Sequence, residues 1–235
     1  KNCPICKSNV LKEKDEAILR CSNTYGCSSQ KIERIIHFVS KKSLNIDGFG
    51  EKQVKQFFEL NLINKVEDIF NLEKFREKIV KLEGWGELSY SNLISSINKS
   101  KKLSLDRFIY SLGIRFIGEV NAEILANEFK TIDKFVLSSN SLNTLENIDG
   151  LGPKAITSII DYFSNDLNKE TVKKLNTHLT INYTENTIMN NFFSNKHLVF
   201  TGSLFELSRE EAKYLAKTKG AKILSSISKK TDFLI

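Results

Sequence analysis

All four cysteines of this 235-residue chain lie within its first 27 residues, as Cys3-x2-Cys6 and Cys21-x5-Cys27. Core packing explains such clustering poorly, whereas four soft thiolates on two short loops suit a tetrahedral zinc ion. A segment this small buries too little to hold itself together, so the metal would supply its folding energy. Four thiolates leave no open position for water, and the expected role is structural rather than catalytic. Two disulfides are the rival arrangement. The first residues show no secretory pattern and there is no further cysteine, which favours a reducing compartment and metal. The first pair has typical spacing and the second a longer loop. His37 is not needed as a ligand and is expected at the surface or at a hinge.

A second set of residues suits anions. Ile46-Asp-Gly-Phe-Gly50, Leu82-Glu-Gly-Trp-Gly86 and Ile148-Asp-Gly-Leu-Gly152 repeat an apolar-x-Gly-x-Gly signature. A Gly-x-Gly turn lets the main chain approach an anion without side-chain interference, and a following helix N-terminus offers N–H groups and a positive dipole end. Nucleic-acid phosphate is the natural guest. A looser copy runs from Leu112 to Gly118, with its glycines farther apart. The candidate DNA-contacting residues are Gly48, Gly50, Gly84, Gly86, Gly113, Gly118, Gly150 and Gly152, with Lys52 and Lys154. Glycine corners in an all-α domain without a ligand would share the signature. Recurrence every few tens of residues is what an array of helix-hairpin-helix units would show. Trp85, the only tryptophan, sits between two glycines, where it suits loop-tip packing or DNA contact.

The elements that would carry these groups are legible from periodicity. After the second glycine, apolar residues fall at Val54/Phe57/Phe58, Leu88/Leu93/Ile94, Val120/Ala122/Ile124/Leu125 and Ala155/Ile156/Ile159/Ile160, about one buried helical face each time. Residues 31–39 read as an amphipathic helix through Ile32, Ile35, Ile36 and Val39. Ser104 is placed to cap a helix bearing Leu105, Phe108, Ile109 and Leu112. Periodicity fades after Asn176, and Thr184–Asn195 reads as a linker. The period then changes. His197–Thr201 reads as a strand, Gly202 as a turn, Ser208-Arg-Glu-Glu211 as a capping box, and Ala212, Leu215 and Ala216 as a helix ending at Gly220. Ala221–Leu224 and Phe233–Ile235 read as further strands. This is an α/β pattern with a parallel sheet, too sparsely covered to be stable alone.

The formal charge is +7 and the pI near 9.1, as a nucleic-acid partner would require. The charge is uneven: +3 over residues 1–35, zero over 36–195 and +4 over 196–235. The hairpin region must therefore bind, if it binds, through backbone amides and a few local lysines such as Lys52 and Lys154, with any basic face balanced by an acidic one. No run of about 18 consecutive apolar residues exists, so no membrane span is expected. A start without methionine inside a cysteine motif, and an end in mid strand, suggest a piece of a longer polypeptide.

The order of these features carries a resemblance. A four-cysteine module, His37-Phe-Val-Ser-Lys-Lys-Ser-Leu-Asn-Ile-Asp-Gly-Phe-Gly-Glu-Lys52, Leu112-Gly-Ile-Arg-Phe-Ile-Gly-Glu119, Ile148-Asp-Gly-Leu-Gly152 and Val199-Phe-Thr-Gly202 together resemble the C-terminal half of bacterial NAD-dependent DNA ligases. The resemblance implies a mainly α chain: a four-cysteine zinc finger (1–31), a four-repeat helix-hairpin-helix domain (32–183), a linker (184–195) and the N-terminal part of an α/β BRCT domain (196–235). It implies that the looser hairpin copy is genuine and that the hairpins contact the minor-groove side of nicked duplex DNA. The expected setting is a cytoplasmic bacterial enzyme, monomeric, at the nucleoid, with no BRCT partner identified. The family passes AMP from NAD to a lysine in a Lys-x-Asp-Gly motif, then to the 5′-phosphate at the nick. Here the x-Asp-Gly sites are Asn45–Gly48 and Asn147–Gly150, and asparagine is no amine nucleophile. NAD and Mg2+ would accordingly be bound by the parent enzyme outside this chain, which alone should be inactive. A non-catalytic repair or recombination scaffold is the alternative. A base-flipping glycosylase also uses such hairpins, but no coherent base pocket is visible. Thr201 matches a phosphate-binding position of some BRCT domains, yet a packing or turn role is expected of it here.

Overall fold

The computed structural model describes residues 1–12, 18–183, 192–194, 196–202, 204, 212–213, 215–216, 219–224, 226–229 and 231–235. Chain contacts divide it into residues 1–183 and 184–235. The expected Ser208–Glu211 capping box and most of the expected linker lie outside the described residues.

The first unit opens with an antiparallel pair, β1 (Val10–Lys12) and β2 (Leu19–Cys21), in the register Val10↔Cys21. Helix α1 (Ser28–Val39) follows with Cys27 at its N-cap, starting three residues before the expected span, and buries Ile35, Phe38 and Val39. Next come α2 (Glu51–Glu59), a 3-10 run over Val66–Phe75, α3 (Arg76–Ile79), α4 (Glu87–Ser100) and α5 (Leu105–Ser111). The unit continues through α6 (Glu119–Phe129), α7 (Ile132–Ser138), α8 (Leu142–Glu146), α9 (Pro153–Ser164) and α10 (Asp166–His178). One apolar core runs from Ile35 to Leu179 and includes Phe57, Ile69, Phe108, Leu125, Phe135, Ile159 and Phe163, all fully buried or nearly so. Each hairpin helix therefore buries its face against its neighbours rather than in a private core.

Several expectations need correction. Leu88 and Val120, read on the buried faces of α4 and α6, are exposed. Ser104 stands at the N-cap position of α5, but its hydroxyl makes no capping bond. It instead ends strand β3 (Lys102–Ser104), which pairs parallel with β4 (Thr180–Asn182), Leu103 facing Ile181. The pair ties the end of α4 to the end of α10 and closes the unit. His37 is not a loose hinge. Its half-buried ring packs at a tilt against Tyr110, centroids 4.8 Å apart, and Nε2–H donates to the Tyr110 carbonyl at 2.8 Å, pinning α1 to α5.

In the second unit, strands β5 (His197–Val199), β6 (Lys222–Ile223) and β7 (Phe233–Leu234) form a parallel sheet in the order β6-β5-β7. Leu198 is its buried centre, with Ala216 and Ala221. Gly202 turns the chain after β5 at φ +73°.

Candidate metal centre and nucleic-acid interface

Cys3 and Cys6 occupy a tight knuckle. The Lys7 N–H donates to Cys3 O at 3.0 Å and the Cys3 N–H to Ser8 O at 2.8 Å, with Lys7 at φ +62°. Cys21 ends β2 and Cys27 begins α1, so secondary structure fixes both. The longer second loop is organised by Asn23, whose Oδ1 accepts from the Gly26 N–H at 2.9 Å. A Cβ at Gly26 would fall 2.4 Å from that oxygen, so a larger residue there would displace the Asn23 side chain from this bond.

The four Sγ atoms lie within 4.8 Å of one another. Cys3–Cys27 are 4.0 Å apart and Cys6–Cys21 3.4 Å. These separations bracket the edge of about 3.8 Å that a tetrahedron with Zn–S bonds of about 2.3 Å requires. They are far from the S–S bond length of about 2.05 Å. Hydrogen bonds with Ser8 bring the Cys6 thiol down to about 6, while burial pushes Cys21 up to about 12. Cys3 is lowered, first by the Cys6 and Ile5 N–H groups. Ionising one sulfur is thus opposed at its neighbour, and a central divalent cation relieves that conflict. The residues fit structural zinc.

The zinc module docks on the hairpins. Tyr25, in the second cysteine loop, accepts from buried Asn168 Nδ2 of α10 at 2.8 Å, and the Arg34 guanidinium lies 5.0 Å over its ring. Sequence periodicity offers no sign of this contact, which spans 143 positions.

The hairpins share one geometry. Gly48, Gly84 and Gly150 stand at φ +76°, +78° and +83°. The next residue's N–H closes the turn: Phe49 to Ile46 O, Trp85 to Leu82 O and Leu151 to Ile148 O, at 3.0–3.2 Å. The second glycine, Gly50, Gly86 or Gly152, is then the extended N-cap of α2, α4 or α9. In the first and last hairpins both glycines are exposed while the apolar residues flanking the first are buried, so side chains anchor the turn and backbone faces outward. Nothing lies within 4 Å of the position a Cβ would take on Gly48, Gly84, Gly86, Gly118 or Gly152. Lys52 and Lys154 are exposed at the second position of α2 and α9; Leu88 and Val120 hold that position in α4 and α6.

Hairpin two is less open than the others. Its half-buried Gly86 N–H donates to Ser89 Oγ at 2.9 Å. Trp85 turns inward, 5.0 Å from Phe57, and donates Nε1–H to Gln56 Oε1 at 3.0 Å. Packing, rather than an outward loop tip, is therefore the setting of the tryptophan.

Hairpin three follows the same plan with one exchange. The Ile117 N–H donates to Ile114 O at 3.1 Å and Gly118 is the N-cap of α6. The place of the first glycine, however, belongs to Phe116 at φ +60°. Gly113, at φ +65°, lies one turn earlier and closes the end of α5, its N–H donating to Tyr110 O at 3.1 Å. The two glycines are thus farther apart because they perform separate tasks. Hairpins three and four are neighbours: Lys154 Nζ lies 5.9 Å from the Phe116 ring centroid, and a Cβ on Gly150 would meet Ile124 Cδ1 at 3.1 Å.

Glu51, Glu87 and Glu119 open α2, α4 and α6, where a carboxylate would repel phosphate. Each is paired with a cation: Glu51 with Lys55, Glu87 with Arg76 through both oxygens, and Glu119 with Lys42 at 2.6 Å. The fourth helix begins with Pro153 and Lys154 instead.

Comparison with known proteins gives three family matches. Residues 2–28 match the NAD-dependent DNA ligase C4 zinc finger domain, 107–172 the helix-hairpin-helix motif, and 190–235 the BRCA1 C Terminus (BRCT) domain. The chain is similar to a DNA ligase of Ehrlichia chaffeensis, with 46% identity over 99% of this chain and 36% of that protein. DNA ligases of Wolbachia pipientis subsp. Culex pipiens and Rickettsia typhi show 45% and 43% identity over 99% of this chain, covering 36% and 35% of their own lengths. The chain thus spans little more than a third of these relatives. No helix among the described residues is long and apolar enough to cross a membrane.

Proposed function

We propose that this chain, the zinc-finger, hairpin and BRCT portion of a DNA ligase, grips duplex DNA at a single-strand nick while the remainder of the enzyme performs the chemistry. The observation that carries the reading is the repeated cradle: a side-chain-free N-cap glycine, exposed at Gly50, Gly118 and Gly152, followed by a helix start and presented from one shared core. Such a cradle accepts a phosphate oxygen by main-chain N–H groups and the helix dipole. Amides contact every phosphate alike, so this grip positions the enzyme without reading sequence.

On this reading residues 1–31 form the zinc finger, 32–183 the hairpin domain, 184–195 a linker and 196–235 the start of a BRCT domain. Gly48, Gly50, Lys52, Gly84, Gly86, Gly118, Gly150, Gly152 and Lys154 meet the backbone, with Gly113 shaping the third hairpin from behind. Hairpin two contributes least, since Ser89 already occupies an N-cap amide. Zinc is structural. NAD and Mg2+ serve the adenylation and sealing steps on the rest of the parent enzyme, which works as a cytoplasmic monomer, and this chain alone seals nothing. Similarity along 99% of the chain to proteins named DNA ligase favours this over a non-catalytic scaffold.

The test uses the parent ligase with Gly50, Gly118 and Gly152 changed to alanine. Transfer of labelled AMP from NAD to the enzyme should be unchanged, whereas sealing of a nicked duplex should fall at least tenfold. Sealing at the normal rate would contradict the reading.

A further inference from the structure

Phe116 departs from the hairpin plan. It holds the left-handed position that glycine takes in the other three hairpins, at φ +60°, where a bulky L-residue is strained. The Asn121 side chain secures it there, Nδ2 donating to the Phe116 carbonyl at 2.8 Å. The residue nevertheless stays 42% exposed. Cations flank it, the Arg115 guanidinium 4.8 Å and Lys154 Nζ 5.9 Å from the ring centroid. Val120, two residues beyond the Gly118 N-cap, adds a second exposed apolar side chain to the same hairpin mouth. Strain kept at an exposed aromatic marks a residue held for a partner rather than for the core.

We propose that Phe116 is a DNA-contacting wedge, inserted into the minor groove against the sugar and base edges at a duplex step, while the amide cradles of hairpins three and four hold the phosphates on either side. This rests on the DNA-gripping reading above and adds an apolar contact to it. Lys154, from the start of α9, lies beside the same ring, so hairpins three and four converge on Phe116. The exposed Lys154 would meet a phosphate that borders the inserted ring, giving the patch charge that suits its occupant. Apolar side chains inserted at base steps are an established way of bending a duplex from the minor groove. A nicked strand lowers the cost of that bend.

The test compares the zinc-loaded full chain with Phe116→Gly, Phe116→Asn and Phe116→Trp. Glycine and asparagine both accept the left-handed backbone, so their melting temperatures should equal or exceed the wild-type value, by about 2–4 °C where strain is released. Their affinity for a fluorescein-labelled nicked duplex should nevertheless fall about tenfold, the scale of one lost aromatic–base contact. The loss should be the same at every salt concentration, because an apolar contact releases no counterions. Phe116→Trp should retain the affinity. Unchanged affinity of the glycine variant, or a loss of affinity together with a lower melting temperature, would overturn the proposal. If the wild-type chain binds no duplex at all, the DNA-gripping reading fails and this one with it.

Discussion

Gly150 and Gly152 stand two residues apart and should fail differently when given a side chain. Gly150 is at φ +83°, and its Cβ would press on Ile124 at 3.1 Å. Alanine there should cost about 1–2 kcal/mol and lower the melting temperature by several degrees. Gly152 is extended, at φ −76°, with open space where a Cβ would go. Alanine there should leave the melting temperature nearly unchanged, yet weaken DNA binding about tenfold by occupying the phosphate's approach. Thermal melts and binding titrations on the two variants separate folding from gripping, and wild-type affinity of Gly152→Ala would count against the amide contact. Residues of this kind were only partly legible beforehand. The cysteine quartet and the N-cap glycines could be read because their types leave few chemical alternatives. Phe116 could not, since glycine is the residue type a left-handed position implies and an aromatic there carries no such signal. Gly113 is conspicuous as a glycine, although its N–H closes the end of α5.

Among the elements, the hairpin helices were legible because each must bury a face at a 3.6-residue period. The β3–β4 pair was not. Three-residue strands carry no readable alternation, and their pairing joins residues far apart in sequence. The docking of the cysteine loop on α10 was equally silent, because it depends on one buried amide meeting one phenol. That contact has a consequence for the metal. A zinc ion on the four thiolates would tether Cys27, the N-cap of α1, and with it the loop carrying Tyr25. Chelation should therefore strip hydrogen-exchange protection from residues 1–30 and from the start of α10, while the core helices from Ile35 onward stay protected. Loss of protection throughout α4 and α9 would show instead that the finger and the hairpins fold as one. Since all four thiols must shed protons to bind, zinc affinity should fall as pH is lowered from about 8 to 6, most steeply where the thiolates reprotonate. An affinity independent of pH would contradict four-thiolate ligation.

For the whole molecule, the uneven charge decides how binding should respond to salt. Residues 36–195 are neutral in sum, so a clamp built there has no net charge of its own and any basic face is balanced by an acidic one. Amide contacts to phosphate displace few counterions, whereas each lysine that neutralises a phosphate adds about one to the salt slope. The direct measurement is the affinity of the zinc-loaded chain for a nicked duplex across a salt series. It should be made for the wild type, for Lys52→Ala with Lys154→Ala, and for Gly50→Ala with Gly152→Ala. The account predicts a shallow slope for the wild type, a slope smaller by about two for the lysine pair, and a tenfold or larger loss of affinity at unchanged slope for the glycine pair. No binding at low salt by a folded chain, or full affinity in the glycine pair, would contradict it.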